Sequence, residues 1–263
     1  MIQMNGLSRL MILEPPKAGA IYHMGTDPIP FGDKKEVSLD SEERSKQCSV
    51  IIKEDPENPL GPYPVAYYLA RTNNADYVFN ETILLQRYYN NCLNNIERNA
   101  SSTFIKCYQD AGVLNMAARY PFTALIANWQ VLKVPKEKRM HHGWNNDSST
   151  KGAAIKLLAD WIPYGIQKTY SDEILEDIQN LGITNTDIAI ALISAIMQWK
   201  HTQTLLKHRD APREVIAREV YVMENGRAVR KVLNIGMSGG HHGIDGPISG
   251  FGRTGSHYGI NNL

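Results

Sequence analysis

Cysteine is scarce in this chain: Cys48, Cys92 and Cys107 are the three thiols in 263 residues. Their odd number and wide spacing exclude a zinc knuckle and fit reduced thiols in a reducing compartment. Long apolar runs are missing, and no window approaches the roughly eighteen apolar residues needed to cross a bilayer. The first residues carry no charged n-region followed by an apolar h-region, as a secretory signal would. The expectation is a cytoplasmic protein with no membrane partner. An excess of either charge is missing too: 28 Lys and Arg stand against 27 Asp and Glu, for a formal net charge of +1. The chain as a whole is therefore not a strongly basic nucleic-acid binder. No phosphate-binding loop, dinucleotide fingerprint or nucleophile elbow occurs. Ser148-Ser-Thr-Lys151 spells S-x-x-K without the companion motifs that would give it meaning.

What is present suits a soluble α+β fold. Hydrophobic residues make up 43%, enough for a sizeable core in a chain of this length. Short apolar stretches over 10–13, 20–24 and 65–69 read as strands, and the Pro-rich 33–64 between them as a long surface loop. The spacing of Ile83, Leu84, Leu85, Tyr88, Tyr89, Cys92, Leu93 and Ile96 predicts a helix from an Asn80 cap to Ile96. A helical run over 110–133 is interrupted by Pro121. The polar stretch 134–150 reads as a loop. Helices follow over 152–162, ended by Pro163, and over 171–180, ended by Gly182. Residues 186–206 mix helical length with strand-like alternation, and helix is favoured. Asn225-Gly226 between two β-rich runs predicts a two-residue hairpin over about 213–233. The segment 236–263 holds nine glycines and three histidines, too glycine-rich for a regular element.

Charge is segregated along the chain. Residues 119–168 carry eight bases, Arg119, Lys133, Lys136, Lys138, Arg139, Lys151, Lys156 and Lys168, whereas 170–187 carry five acids and no base. Such segregation can make one basic face on a near-neutral protein, or simply two solvated helix faces. The pairs His141-His142 and His241-His242 suggest a metal site, but no acidic partner recurs at a short fixed offset from them. A hydrolase built on scattered acids stays open. In the glycine-rich segment, Arg253 and the histidines supply charge and donors beside Phe251 and Tyr258, a mixture suited to a single nucleic-acid strand.

Several segments, taken in order, resemble the guide-RNA-coating backbone subunit of type I-F CRISPR surveillance complexes. They are Leu13-Glu-Pro-Pro-Lys-Ala-Gly-Ala-Ile-Tyr, the helix over 79–96, Leu114-Asn-Met-Ala-Ala-Arg119-Tyr120 running into Asn128-Trp129, the start of the hairpin over 212–223, and Gly243-Ile-Asp-Gly-Pro-Ile-Ser-Gly-Phe-Gly-Arg-Thr-Gly255. The resemblance implies one RNA-binding domain over 1–263: an RNA-recognition-motif-like palm, a helical insertion over about 80–206, a β-hairpin thumb and the glycine-rich tail. It implies a non-catalytic antiviral subunit with no cofactor. Its partners would be CRISPR guide RNA, copies of itself, other effector subunits, and target DNA through the guide. RNA contacts would come from Arg119, Asn128 and Lys133, from Arg227, Arg230 and Lys231 on the hairpin, and from Ser249, Arg253 and His257. Thr123 and Ile126 depart from the family's asparagines on the Arg-Tyr helix, and the chain ends sooner than the family does. Two alternatives accompany this reading: a virus- or plasmid-borne mimic acting as an anti-CRISPR, and a metal-dependent hydrolase using the histidine pairs.

Overall fold

The structure is a computed structural model; it describes residues 2–4, 8–28, 46–55, 57, 61–70, 75–98, 102–126, 134–184, 186–210, 215–224 and 227–236. It divides into two compact units, Met1–Arg209 and Asp210–Leu263. Among the described residues no helix is long and apolar enough to cross a membrane.

The first unit is built on a six-stranded mixed sheet. Its strands are β1 (Ile2–Met4), β2 (Ser8–Ile12), β3 (Tyr22–Asp27), β4 (Gln47–Lys53), β5 (Tyr63–Ala70) and β6 (Leu93–Ile96), in the order β1-β2-β5-β4-β3-β6. β3, β4 and β5 form an antiparallel meander, and β6 then pairs parallel to β3. Helix α1 (Ala75–Tyr88) makes the connection from β5 to β6, since a parallel neighbour needs a crossover rather than a tight turn. Further along come α2 (Ser102–Asp110), α3 (Phe122–Leu125), α4 (Lys136–Met140), α5 (Lys151–Gly165), α6 (Asp172–Gln179) and the long α7 (Asp187–Asp210).

β4 is buried along its whole length, which only a central strand covered on both faces can be. Its Cys48, Val50 and Ile52 point into a core with Trp161 of α5 and the Ala191–Ile196 stretch of α7, whereas Ile51 joins Val78 and Leu85 of α1, and Tyr89 just after it, on the other face. At roughly 1.5–3 kcal/mol for each fully buried large apolar side chain, these two faces supply the main drive for the sheet to form.

The α+β class is as the sequence indicates, but the finer arrangement differs. An RNA-recognition-motif palm interleaves helices as β-α-β-β-α-β, whereas here three antiparallel strands run in succession before the first helix of the sheet. β4 lies inside the stretch read as a loop, and β6 inside the stretch read as one helix over 80–96. α1 ends at Tyr88, where Asn90 and Asn91 adopt φ of 58° and 55°, the left-handed turn that asparagine tolerates better than other side chains. The run over 110–133 is likewise not one helix: after α2 a 3₁₀ turn over Leu114–Met116 precedes α3. Pro163 sits inside α5, which ends two residues later at Gly165.

The second unit contains the hairpin β7 (Val215–Glu224) and β8 (Arg227–Gly236). Glu224 pairs with Arg227, so two residues connect the strands, as an Asn-Gly turn requires. The glycine-rich segment after Gly236 lies outside the described residues.

Candidate active site

Strand alternation decides which side chains meet. On β3, Tyr22 and Met24 face α1, so His23, Gly25 and Asp27 face α7. On β6, Ile96 packs toward α1 and α2, and Asn94 bonds Tyr108 of α2. Asn95 turns the other way and donates to the Ser194 carbonyl of α7 at 2.9 Å. Glu97 follows with the same parity as Asn95. The parallel register sets Thr26 opposite Ile96, and the Glu97 amide donates to the Thr26 carbonyl at 2.9 Å. Asp27 and Glu97 therefore stand side by side at the C-terminal ends of two parallel strands, on the α7 face.

Gly25 brings the third acid in. A Cβ at this position would lie 2.1 Å from the Ala191 carbonyl oxygen and 2.2 Å from the Ala195 nitrogen, so α7 rests directly on the β3 backbone. One turn before Ala191 is Asp187, the first residue of α7. Asp27, Glu97 and Asp187 line one pocket of about 360 Å³, together with Trp144, Asn146, Lys151, Thr184 and Thr186. Trp144 is locked there by its indole N–H, which donates to Ser194 Oγ at 2.9 Å, and by the backbone bridge that pairs it with Glu97.

Beneath the pocket a polar network fixes β6. Thr26 Oγ1 bonds Ser49 Oγ and Asn94 Oδ1, each at 2.9 Å. Tyr108 accepts from Asn94 and donates to Gln86, whose amide donates to the Cys92 and Met116 carbonyls. Buried asparagines in β6 thus do positional work that an apolar strand could not do.

The electrostatics are those of crowded carboxylates. Burial, then a hydrogen bond with Glu97, then the charges of Glu97, Asp187 and Asp177 hold Asp27 well above the usual carboxylate range. Asp187 is raised by burial, although the Lys46 amide donates to its Oδ2 at 2.6 Å. Asp177, in α6, is pushed up to about 6 by burial and by the charge of Asp187, against the Ala189 amide that donates to it at 2.7 Å. Among the described residues no lysine or arginine forms an ion pair with any of these four acids.

Oxygen donors of this kind suit magnesium or manganese. Among the described residues no three His, Cys, Asp or Glu side chains converge closely enough to hold an ion between them. Magnesium does not demand that: it is commonly held by one or two carboxylates, keeping waters and taking substrate oxygens. The Asp27–Glu97 pair with Asp187 nearby fits that manner of binding.

Of the residues singled out in the sequence, the described ones of the first unit do not line this pocket. Arg119 is exposed, with its guanidinium 2.8 Å from Met140 Sδ, and it lines a separate cavity with His142 and His201. Arg227, Arg230 and Lys231 are on β8. Asn128, Lys133, Ser249, Arg253 and His257 lie outside the described residues. The His141 ring accepts from the Arg98 guanidinium at 3.2 Å and the His142 ring bonds the Ala117 carbonyl at 2.9 Å, and neither lines the carboxylate pocket. His241 and His242 lie outside the described residues.

No protein-family model and no curated protein matches the chain. Solved structures that are similar include the large terminase nuclease of thermophilic phage G20c with bound zinc, at 12% identity over 72% of this chain and 87% of that one, with a TM-score of 0.47. The same nuclease with bound magnesium gives 11%, the same coverage and 0.47. The Thermus phage P74-26 large terminase nuclease domain gives 13% over 71% and 83%, with a TM-score of 0.41. These scores lie below one half, so the carboxylates and the strand order, not the neighbours, carry the functional reading. The resemblance to a CRISPR backbone subunit is corrected here, and with it the non-catalytic antiviral role and the anti-CRISPR mimic. The sheet is not the palm those readings need, and its α7 face gathers acids in one pocket.

Proposed function

We propose that this chain is an enzyme, a divalent-cation-dependent phosphodiester hydrolase of nuclease type, acting at the Asp27–Glu97–Asp187 pocket. The observation that carries the proposal is that three carboxylates, 70 and 90 positions apart in sequence, line one pocket on one face of the sheet, none of them in an ion pair with a described cationic side chain. The strand order supports it: an antiparallel meander, a crossover helix and a parallel fourth strand form a sheet of the ribonuclease H-like kind. This keeps the metal-dependent hydrolase considered from sequence but moves its ligands from histidines to carboxylates.

Asp27 and Glu97 would hold the cation, and Asp187 lines the same pocket from the helix. When bound, such an ion polarises a phosphoryl oxygen and makes water a nucleophile near neutral pH. The protein's own contribution is positional. Parallel pairing fixes the spacing of Asp27 and Glu97, Gly25 sets the depth of Asp187, and Trp144 closes one wall against bulk water. Lys151, at the first turn of α5, lines the same pocket and offers an ammonium to a phosphate.

The test is hydrolysis of a labelled DNA or RNA strand with magnesium, manganese or a chelator, by the wild type and by Asp27→Asn. Cleavage that requires the cation and falls at least about a hundredfold in the variant is the expected result. Cation-independent cleavage, or full activity in Asp27→Asn, would overturn the reading.

A further inference from the structure

A basic ridge leaves the carboxylate pocket along one chain segment. Residues 141–144 lie between the end of β6 and residues 117–120: the Trp144 amide donates to the Ile96 carbonyl, the Arg98 amide to the Trp144 carbonyl, the Gly143 amide to the Ala118 carbonyl, and the Tyr120 amide to the His141 carbonyl. This ties Glu97 to Trp144 on the pocket wall, and Arg119 to His142 two residues away. Arg119 is therefore one backbone pairing across from the segment whose Trp144 forms the pocket wall.

Along that line Arg98, His141 and Arg119 are exposed. Arg98 immediately follows Glu97, its stem lies over Gly143, whose φ of +72° leaves no room for a side chain there, and its guanidinium meets His141. Arg119 comes next, beside Met140 at the end of α4. α4 adds Lys136, Lys138 and Arg139 against the single acid Glu137. Among the described residues neither Arg98 nor Arg119 forms an ion pair with a carboxylate. An acid-lined pocket bordered by unneutralised arginines suits a long polyanion whose one phosphate reaches the acids while its neighbours lie on the bases. A strand carries one charge per about 3.4 Å of axis, so each of the two arginines can meet its own phosphate.

We infer that Arg98 and Arg119 form a track that binds the sugar-phosphate backbone of a polynucleotide beside the point of cleavage. The inference rests on the phosphodiesterase reading of the carboxylate pocket, and it makes the substrate a polymer rather than a small phosphate diester. Because the contacts go to phosphate, the track grips without reading sequence.

The experiment is equilibrium binding of the full chain to a fluorescent oligonucleotide, single- and double-stranded, in chelator so that nothing is cleaved, over a range of salt. The double variant Arg98→Gln, Arg119→Gln is expected to bind at least about tenfold more weakly, and its log–log salt slope to fall by about 1.4–1.8, two phosphate contacts' worth. Lys156→Gln, an exposed lysine paired with Asp160 on α5, is the control expected to bind like the wild type. Thermal melts of each variant separate lost binding from lost fold. Unchanged affinity and slope in a folded double variant overturn the track, as does a wild type that binds no oligonucleotide at low salt. Cleavage is not read in this assay, so a failure of the hydrolase reading shows only in the Asp27→Asn test.

Discussion

Asp27 is the residue at which function and stability pull apart. Burial and its acidic neighbours disfavour its charge, so the neutral isostere should relieve strain in the fold while removing a cation ligand. Asp27→Asn is expected to melt no lower than the wild type, and up to a few degrees higher, while losing at least about a hundredfold in hydrolysis. A melt by calorimetry beside an activity assay checks both; a variant that is inactive because it is unfolded would refute the account. The same side chains set a pH window. Glu14 is lowered to about 2: burial works against this, but hydrogen bonds from Lys53, Lys17 and Tyr63 prevail. Its stabilisation is complete above the unfolded value of 4.5 and is lost as the pH falls toward 2. Asp177 has the opposite sign: raised from 3.8 to about 6, it favours the fold below 3.8 and withdraws that support as the pH rises through about 6. The melting temperature should therefore peak near about pH 4 and decline toward about pH 6. Cation binding requires deprotonated carboxylates. Adding 10 mM manganese should therefore raise the melt more at pH 7.5 than at pH 5, by about 3–6 °C if the site binds near 1 mM. An equal shift at both pH values would argue against carboxylate ligation.

None of these acids announced itself in the sequence, because chemistry here depends on strand parity, not on spacing. Asp27, Glu97 and Asp187 fall on three elements, and the element that relates two of them, β6, reads Leu-Asn-Asn-Ile. Its buried asparagines look like a helix end or a turn unless the hydrogen bonds to Tyr108 and Ser194 are known. The readable hints were an aspartate closing the β-rich run of β3 and another opening the long alanine-rich helix. α6 and the hairpin were legible for the opposite reason, since a glycine stop and an Asn-Gly turn are local signals, whereas α7 was favoured by its length against a strand-like alternation. β4 was hidden among prolines and charges because its Gln47 and Ser49 are buried by tertiary contacts. At this scale the packing of α7 on β3 can be tested through Gly25. Gly25→Ala places a methyl 2.1 Å from the Ala191 carbonyl oxygen, backbone that cannot swing aside. The expected cost is about 1–3 kcal/mol, the usual range for overpacking, read from urea unfolding. Hydrolysis should fall more than this stability loss explains, because displacing α7 also displaces Asp187. A variant with wild-type stability would mean that α7 does not rest on β3 as described.

For the whole molecule the decisive fact is that everything the proposed chemistry uses lies in Met1–Arg209. The six-stranded sheet, both of its packed faces, the polar network under β6, the carboxylates and the Arg98–Arg119 ridge belong to that unit. The second unit, Asp210–Leu263, contributes a two-stranded hairpin among its described residues, and a lone hairpin is marginal in water by itself. A chain ending after Asp210 retains all of α7 and both sheet faces, and at that length it is well within the range of independently folding domains. It should express as a folded protein with one cooperative thermal transition, within about 3 °C of the main transition of the full chain. It should also keep the manganese-induced rise in melting temperature and the cation-dependent cleavage of a polynucleotide. Loss of the cooperative transition would show that the second unit completes the core. A folded fragment that binds manganese but no longer cleaves would instead assign the second unit a part in holding the strand.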